Sequence, residues 1–211
     1  MLVKLESPSG GEEEIISAAT AECRLSPRKN EKRIRSIIRA GHMSSLGFAN
    51  AVISVQDISR ACSHQLVRHI FIRYMQQSQR SIQSNPIFII PPLDYLESTK
   101  RASTIKLMES VCMGCYRSYV ELLRIGVKKE DARYILPQAT STGMWMSSSF
   151  QGWWDFLYGS RSTVDKKTGD VIMAGASRLD KHAQWEIREV AQEIEKVLAK
   201  VAPNIFRRNF S

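Results

Sequence analysis

Arg68, His69, Arg73, Ser78 and Arg80 crowd one short stretch of the chain, with more cationic and hydrogen-bonding capacity than packing asks of a helix end. Arginine forks meet phosphate oxygens two at a time, and a serine hydroxyl with neighbouring backbone amides completes a phosphate cradle. Residue types alone therefore allow two readings, an anion site or a solvated helix end with ordinary charges. A second pair with chemical potential is Cys112 and Cys115, spaced as half a zinc site or a redox pair. No second pair stands at ligand spacing and the flanks read as helix, so no metal is expected and two reduced helical cysteines are the expectation. Cys23 and Cys62 lie far from them, which is not the pattern of a secreted disulfide framework.

The elements that must position these residues follow from periodicity and punctuation. Glu12 to Cys23 reads as a first helix with glutamates in its opening turn. Asn30 is placed to cap a second, which runs to Ala40 and stops at Gly41. Val52, Ile53 and Val55 predict a strand from Phe48 to Val55, and a helix from about Ile58 to Ile70 then delivers Gln65, Arg68 and His69. Ile87 to Ile90 is expected as a short buried strand ended by Pro91 and Pro92. A long helix from about Tyr95 to Ile125, closed by Gly126, comes next, then a short helical segment from Lys128 to Tyr134 and a strand from Thr140 to Ser149. Trp153, Trp154, Phe156 and Leu157 belong to an aromatic helix whose indoles are expected in a core or subunit interface. From Gly159 to Ser177 the composition turns polar and glycine-rich, predicting a surface hairpin or loop around Lys166 to Asp170. The last helix is expected from Asp180 to about Val201, burying Ala183, Ile187, Val190, Ile194 and Val197. Strands and helices mix without regular alternation, which predicts an α+β fold in a single domain spanning 1–211.

Composition narrows the function. With 211 residues, 43% of them hydrophobic, the chain can bury one sizeable core. Its apolar runs fall far short of the roughly 20 residues that cross a bilayer, and Met1 to Glu6 followed by Ser-Pro-Ser-Gly-Gly is not a secretory leader. No membrane association and a cytoplasmic location are the expectations. Thirty Lys and Arg against 21 Asp and Glu give +9, which suits an anionic partner, either nucleic acid or a small phosphorylated substrate. The densest basic stretch, Arg28 to Arg35, alternates with Ile34, Ile37 and Ile38 at helical spacing, as a solvated helix face does. It lacks the interleaved aromatics of a base-stacking surface, so no nucleic acid is expected.

The order of residues adds a resemblance. Ser59 to His69, followed by Gln76-Gln77-Ser78-Gln79-Arg80, resembles the signature of the flavin-dependent thymidylate synthases, in which Arg-His-Arg precedes seven residues and a serine. Further similar segments follow in the right order: Gly41-His42, Pro91-Pro92, Gly126, Glu130 to Pro137, and His182 to Arg188. The resemblance implies an antiparallel sheet with several helices, a homotetramer with shared active sites, and C5-methylation of dUMP. It implies FAD, NADPH and 5,10-methylenetetrahydrofolate as cofactors. By resemblance Gln65, Gln76, Gln77, Ser78, Gln79, Arg80 and Arg178 hold the nucleotide, with Ser78 and Arg80 supplied by a neighbouring subunit. Arg133 contacts the uracil ring, where a fixed guanidinium stabilises the negative charge pushed onto the ring oxygens during attack from carbon 5. Arg133 and Ser78 are thus the catalytic candidates. His42, Ser44, Arg68, His69, Gln76 and His182 are implied at the flavin or folate.

The chain also departs from the family pattern. Ile70 replaces the third residue of Arg-His-Arg, Gly47-Phe48 stand where an acidic residue and a histidine are usual, Ser149-Phe150-Gln151 replace Asn-Ala-Arg, Ser81 replaces a tyrosine, and 159–177 is an insertion. These changes fall mostly on the flavin side. Three outcomes are compatible with them: a dUMP methylase, a specialised UMP methylase of the kind that serves nucleoside-antibiotic synthesis, and a non-catalytic nucleotide-binding paralogue.

Overall fold

Strand β2 (Asn50–Ser59) forms where β-branched residues recur, and its buried Ala51, Ile53, Val55 and Ile58 carry it through the interior. The structure, a computed structural model, describes residues 1–6, 16, 19 and 31–210. The expected helix from Glu12 to Cys23, the Asn30 cap and the start of the basic stretch lie outside those residues, apart from Ile16 and Ala19, which are helical. Strands β1 (Leu2–Leu5), β2, β3 (Arg73–Gln76) and β4 (Ser141–Ser149) make a sheet in the order β1-β2-β4-β3. The Phe150 amide donates to Ala49 O and the Arg60 amide to Thr140 O, so β2 and β4 run antiparallel. A second, two-stranded antiparallel sheet pairs β5 (Thr163–Val164) with β6 (Val171–Ile172). With helices α1 (Glu31–Arg39), α2 (Arg60–Leu66), α3 (Ser98–Arg124), α4 (Lys129–Ala132), α5 (Phe150–Tyr158) and α6 (Trp185–Val201), the class is α+β. No described helix is long and apolar enough to cross a membrane.

The chain falls into two compact units. The first comprises Met1–Val55, Val67–Met75 and Trp145–Ser211. Its core is aromatic: Phe150, Trp153, Phe156, Tyr158, Phe206 and Phe210 are all at most 2% exposed. Trp153 Nε1–H donates to Ala51 O at 3.1 Å, so the indole is buried with its one donor satisfied. Ile34, Ile37 and Ile38 of α1 are buried at helical spacing, as their pattern predicts. On α6 the buried seam is Ile187, Val190, Ala191, Ile194 and Leu198, while Val197 is only half-buried. This helix begins at Trp185 rather than Asp180, because the Gln184 side chain accepts the amides of Glu186 and Ile187 and caps it there. Ala183 and His182 therefore stand ahead of the helix.

The second unit comprises Gln56–Leu66 and Gln76–Met144. Helix α3 buries only Cys112 and Tyr119, and its end is turned by Gly126 at φ 95°, the left-handed residue that the sequence placed there. Both cysteines of the Cys112–Cys115 pair lie within this helix. Two expectations are corrected. Helix α2 spans Arg60–Leu66 only, because β2 continues to Ser59 through Asp57, which takes a left-handed φ of 56°. The segment from Ile87 to Ile90 is not a buried strand. It makes a single bridge, Phe88 with Thr140, and Ile87 is 47% exposed; two prolines follow directly and donate no amides to extend the ladder.

Candidate functional site

In the second unit, the turn after β3 is built by its own serine. Ser78 Oγ accepts the Arg80 amide at 3.2 Å, and Ser78 O accepts the amides of Ser81 and Ile82. Short polar side chains stabilise such turns by this local bonding. Arg80 Nε then donates to Glu130 at 3.2 Å, and Lys129 Nζ donates to Ser81 O, which ties the turn to α4. Arg133 follows α4, half-buried, with Nε donating to Glu130 O at 3.1 Å. Glu130 thus holds both arginines, Arg80 by its carboxylate and Arg133 by its carbonyl. Gln76 is oriented by two bonds from Nε2, to Ser63 Oγ at 2.8 Å and Thr142 Oγ1 at 3.3 Å. Ser63 in turn donates to Arg60 O.

An open pocket of about 190 Å³ is lined by Gln56, Asp57, Gln77, Ser78, Gln79, Ser141 and Thr142, among others. That is below the roughly 300 Å³ at which small-molecule sites begin, so this pocket by itself is smaller than a complete small-molecule site. Gly143 leaves room in its wall for the end of the Gln56 side chain, which a Cβ would displace, and Gly143 O accepts the Gln77 amide. Gln65 lies on α2, half-buried.

Residue spacing alone missed three participants of this unit. Ser63 and Thr142 set the Gln76 amide, and the sequence hinted at both only by placing small polar residues on α2 and β4. The third is Arg60. Burial, and then the charge of Arg133, pull its guanidinium below the ordinary arginine range. Two half-buried guanidinium groups close enough to oppose each other are an arrangement that an anion relieves. Its signal in the sequence was its place beside Ser59 at the start of the Ser59–His69 run.

The first unit carries the other candidates. His69 is half-buried, with ring contacts to Phe71 at 5.9 Å and Phe156 at 5.6 Å. Burial and then the Arg178 charge lower its pKa, against a hydrogen bond to the Asp155 backbone that raises it. The ring is therefore neutral at pH 7, and its Nδ1 is buried without a hydrogen-bond partner. A neutral imidazole with one unpaired buried nitrogen is suited to a polar group of a bound molecule. Arg178 also lies in electrostatic range of Tyr74, whose phenol burial pushes well above its usual range and whose hydroxyl donates to His69 O. The structure thus brings Arg178 beside His69. Asp155, on α5, is a further group that the sequence reading overlooked. Burial raises its carboxyl to about 6, and the signal was an acid set between Trp154 and Phe156.

The remaining candidates of this unit lie at its surface. His42 precedes a 3-10 turn over Met43–Phe48 and is exposed, its carbonyl accepting from Ser45 Oγ at 3.1 Å. Ser44 is exposed within that turn, and Arg68 is exposed after α2. His182 is exposed, its amide held by Asp180 at 2.8 Å. Ile70 is 83% exposed, and Gln151 Oε1 lies 3.8 Å from where a Cβ on Gly47 would stand.

The family model for the thymidylate synthase complementing protein matches residues 4–204. Among curated relatives, the flavin-dependent thymidylate synthase of Geobacter sulfurreducens is 34% identical over 173 residues, covering 81% of this chain and 66% of its own. That of Saccharolobus solfataricus is 31% identical over 219 residues, covering 97% and 75%. That of Pyrococcus furiosus is 34% identical over 183 residues, covering 84% and 66%. The chain thus spans about two thirds to three quarters of the length of these relatives. With the family model running through both units and relatives at this identity over most of its residues, the chain belongs to the thymidylate synthase complementing protein family.

Proposed function

We propose that this protein methylates carbon 5 of a uridine nucleotide, dUMP in the first instance, in a flavin- and folate-dependent reaction. The observation that carries this reading is the arginine-rich cluster of the second unit, where Glu130 holds Arg80 and Arg133 and the charge of Arg133 bears on Arg60. A phosphate meets Ser78 and Arg80, whose turn is fixed before any ligand arrives. The Arg133 guanidinium, anchored on the Glu130 carbonyl, stabilises negative charge pushed onto the ring oxygens. Gln76 Nε2 is engaged by Ser63 and Thr142, which leaves its carbonyl oxygen as the acceptor it offers a ligand. The small volume of the pocket at Ser78 supports a site completed by another subunit of a homotetramer.

FAD fits the first unit: the unpaired buried nitrogen of His69 offers it a hydrogen-bond position, with Arg68, His42, Ser44 and His182 as further contacts. When bound and reduced by NADPH, it supplies the hydride that completes a methyl group from the 5,10-methylenetetrahydrofolate carbon. His69, neutral at pH 7, contributes hydrogen bonding rather than charge there. A second reading, a nucleotide-binding paralogue without catalysis, is favoured by one observation, the aliphatic Ile70 at 83% exposure where the family carries a cation.

The test is to incubate the protein with FAD, NADPH and methylenetetrahydrofolate, offering dUMP and UMP in parallel, and to follow the nucleotide masses. A methyl gain on dUMP is expected. A gain on UMP alone replaces the substrate with the ribonucleotide, and no gain on either leaves the binding paralogue.

A further inference from the structure

The segment 159–177 folds as a hairpin, and its ties explain why. Gly159 takes φ 96° and approaches the backbone so closely that a Cβ would clash with Ala174 O. The Arg161 amide donates to Ala174 O, closing the neck of the hairpin. At its tip Asp165 Oδ1 accepts the amides of Lys167 and Thr168 at 2.7 and 2.8 Å. Asp170 bridges to Asn209, and Ser177 Oγ donates to Leu157 O at 2.6 Å. A loop of this composition that merely connects two helices needs none of these anchors.

Between this hairpin and the C-terminal turn of α1 lies a cavity of about 430 Å³, inside the first unit. That volume falls in the range of about 300–1,000 Å³ typical of small-molecule sites. Its floor is apolar, from Ile38, Met43, Trp154 and Val164. Trp154 is fixed by its Nε1–H bond to Ser162 Oγ at 2.8 Å. Arg39, Arg161 and Lys166 also line the cavity, and Arg39 donates to Lys166 O, which links the helix end to the hairpin. No carboxylate among the described residues makes an ion pair with any of the three. Asp165, the acid nearest in sequence, turns Oδ1 to its own backbone.

We propose that this cavity is a second binding site, for an organic anion whose flat apolar body rests on Ile38, Met43, Trp154 and Val164 and whose phosphate or carboxylate meets Arg39, Arg161 and Lys166. An apolar floor beside three cations without acids is the complement of such a molecule. A bare inorganic anion has no use for the floor, and a neutral apolar ligand none for the cations. A phosphorylated nucleoside and a carboxylate-bearing ring system share this chemistry.

Isothermal titration of the intact protein separates the sources, with adenosine 2′,5′-bisphosphate, pteroylglutamate and inorganic phosphate as probes. At least one organic anion is expected to bind at or below about 100 µM, with phosphate at least tenfold weaker. In the R161E/K166E protein that affinity is expected to fall at least tenfold with an unchanged melting temperature. Thr163→Trp, at an exposed position lining the cavity, is expected to abolish binding by filling it, and serves if the charge reversal disturbs folding. Absence of binding by both organic anions at 1 mM, equal affinity for phosphate, or unchanged affinity in a folded variant overturns the proposal. None of these outcomes depends on whether the protein transfers methyl groups.

Discussion

The two units differ in how they keep their polar groups. In the second, the charged and amide side chains of the candidate site hold one another by hydrogen bonds: Arg80 and Arg133 on Glu130, and Gln76 on the buried Ser63 and Thr142. In the first, His69 and Asp155 sit against an aromatic core, and burial is the largest cause of the shift in each pKa. Residues implied at the nucleotide fall mostly in the second unit, and those implied at the flavin mostly in the first. Of the positions at which the sequence departs from the resembled pattern, Ile70, Gly47 and Gln151 lie in the first unit and Ser81 in the second. A hydrogen-bond network tolerates few exchanges because each member orients another. Ile70 and Gly47 are exposed, and an exposed position accepts exchange because no packing partner constrains it.

The largest expected effect tests the packed side. Trp153→Ala removes a fully buried indole and leaves a cavity, which destabilises by about 3–5 kcal/mol in chemical denaturation. A loss below about 1 kcal/mol contradicts the core described for the first unit. Arg133→Ala tests the network side. Turnover of dUMP is expected to fall about 10²–10³-fold while FAD affinity, followed by flavin fluorescence, stays within twofold. A parallel loss of FAD affinity ends the separation between the two groups of residues.

Ile70→Arg places a cation at an exposed position beside His69, where the longer side chain meets no packing. FAD is expected to bind about tenfold more tightly, or ~1.4 kcal/mol. Unchanged affinity means that other side chains already compensate.

The smallest effect is a pH dependence. Asp155 has its carboxyl raised to about 6 by burial, above the roughly 3.9 of an unfolded chain. A raised acid contributes stability below its unfolded value and loses it as pH rises through 6. Asp155→Asn is therefore expected to stabilise the protein at pH 8, by about 1 kcal/mol after discounting for partial exposure. The gain should vanish near pH 4. His69 has the opposite sign. Its pKa is lowered, so its contribution is present above about 6.5 and fades as pH falls through the folded value. Melting temperatures of the D155N variant and the wild-type protein across pH 4–8 separate the two.

Periodicity and punctuation were enough to place the amphipathic helices α1 and α6 and the end of α3. Ile34, Ile37 and Ile38 are buried as their spacing required, Gly126 closes α3 in the left-handed conformation, and the family signature marked the turn at Ser78. These are local properties, set by periodicity, by the missing Cβ of glycine and by a hydroxyl within reach of its neighbours' amides. Tertiary structure decided what depends on distant partners. Ile87 to Ile90 has the composition of a strand, yet only Phe88 finds a bridging residue. Helix α6 starts where the Gln184 side chain caps it. Arg60 takes its importance from the charge of Arg133, Asp155 from the core around it, and the hairpin at 159–177 from the cavity it encloses with α1. Burial and opposing charge arise between segments far apart in the chain, so the local signals at Arg60 and Asp155 mark the residues without showing what surrounds them.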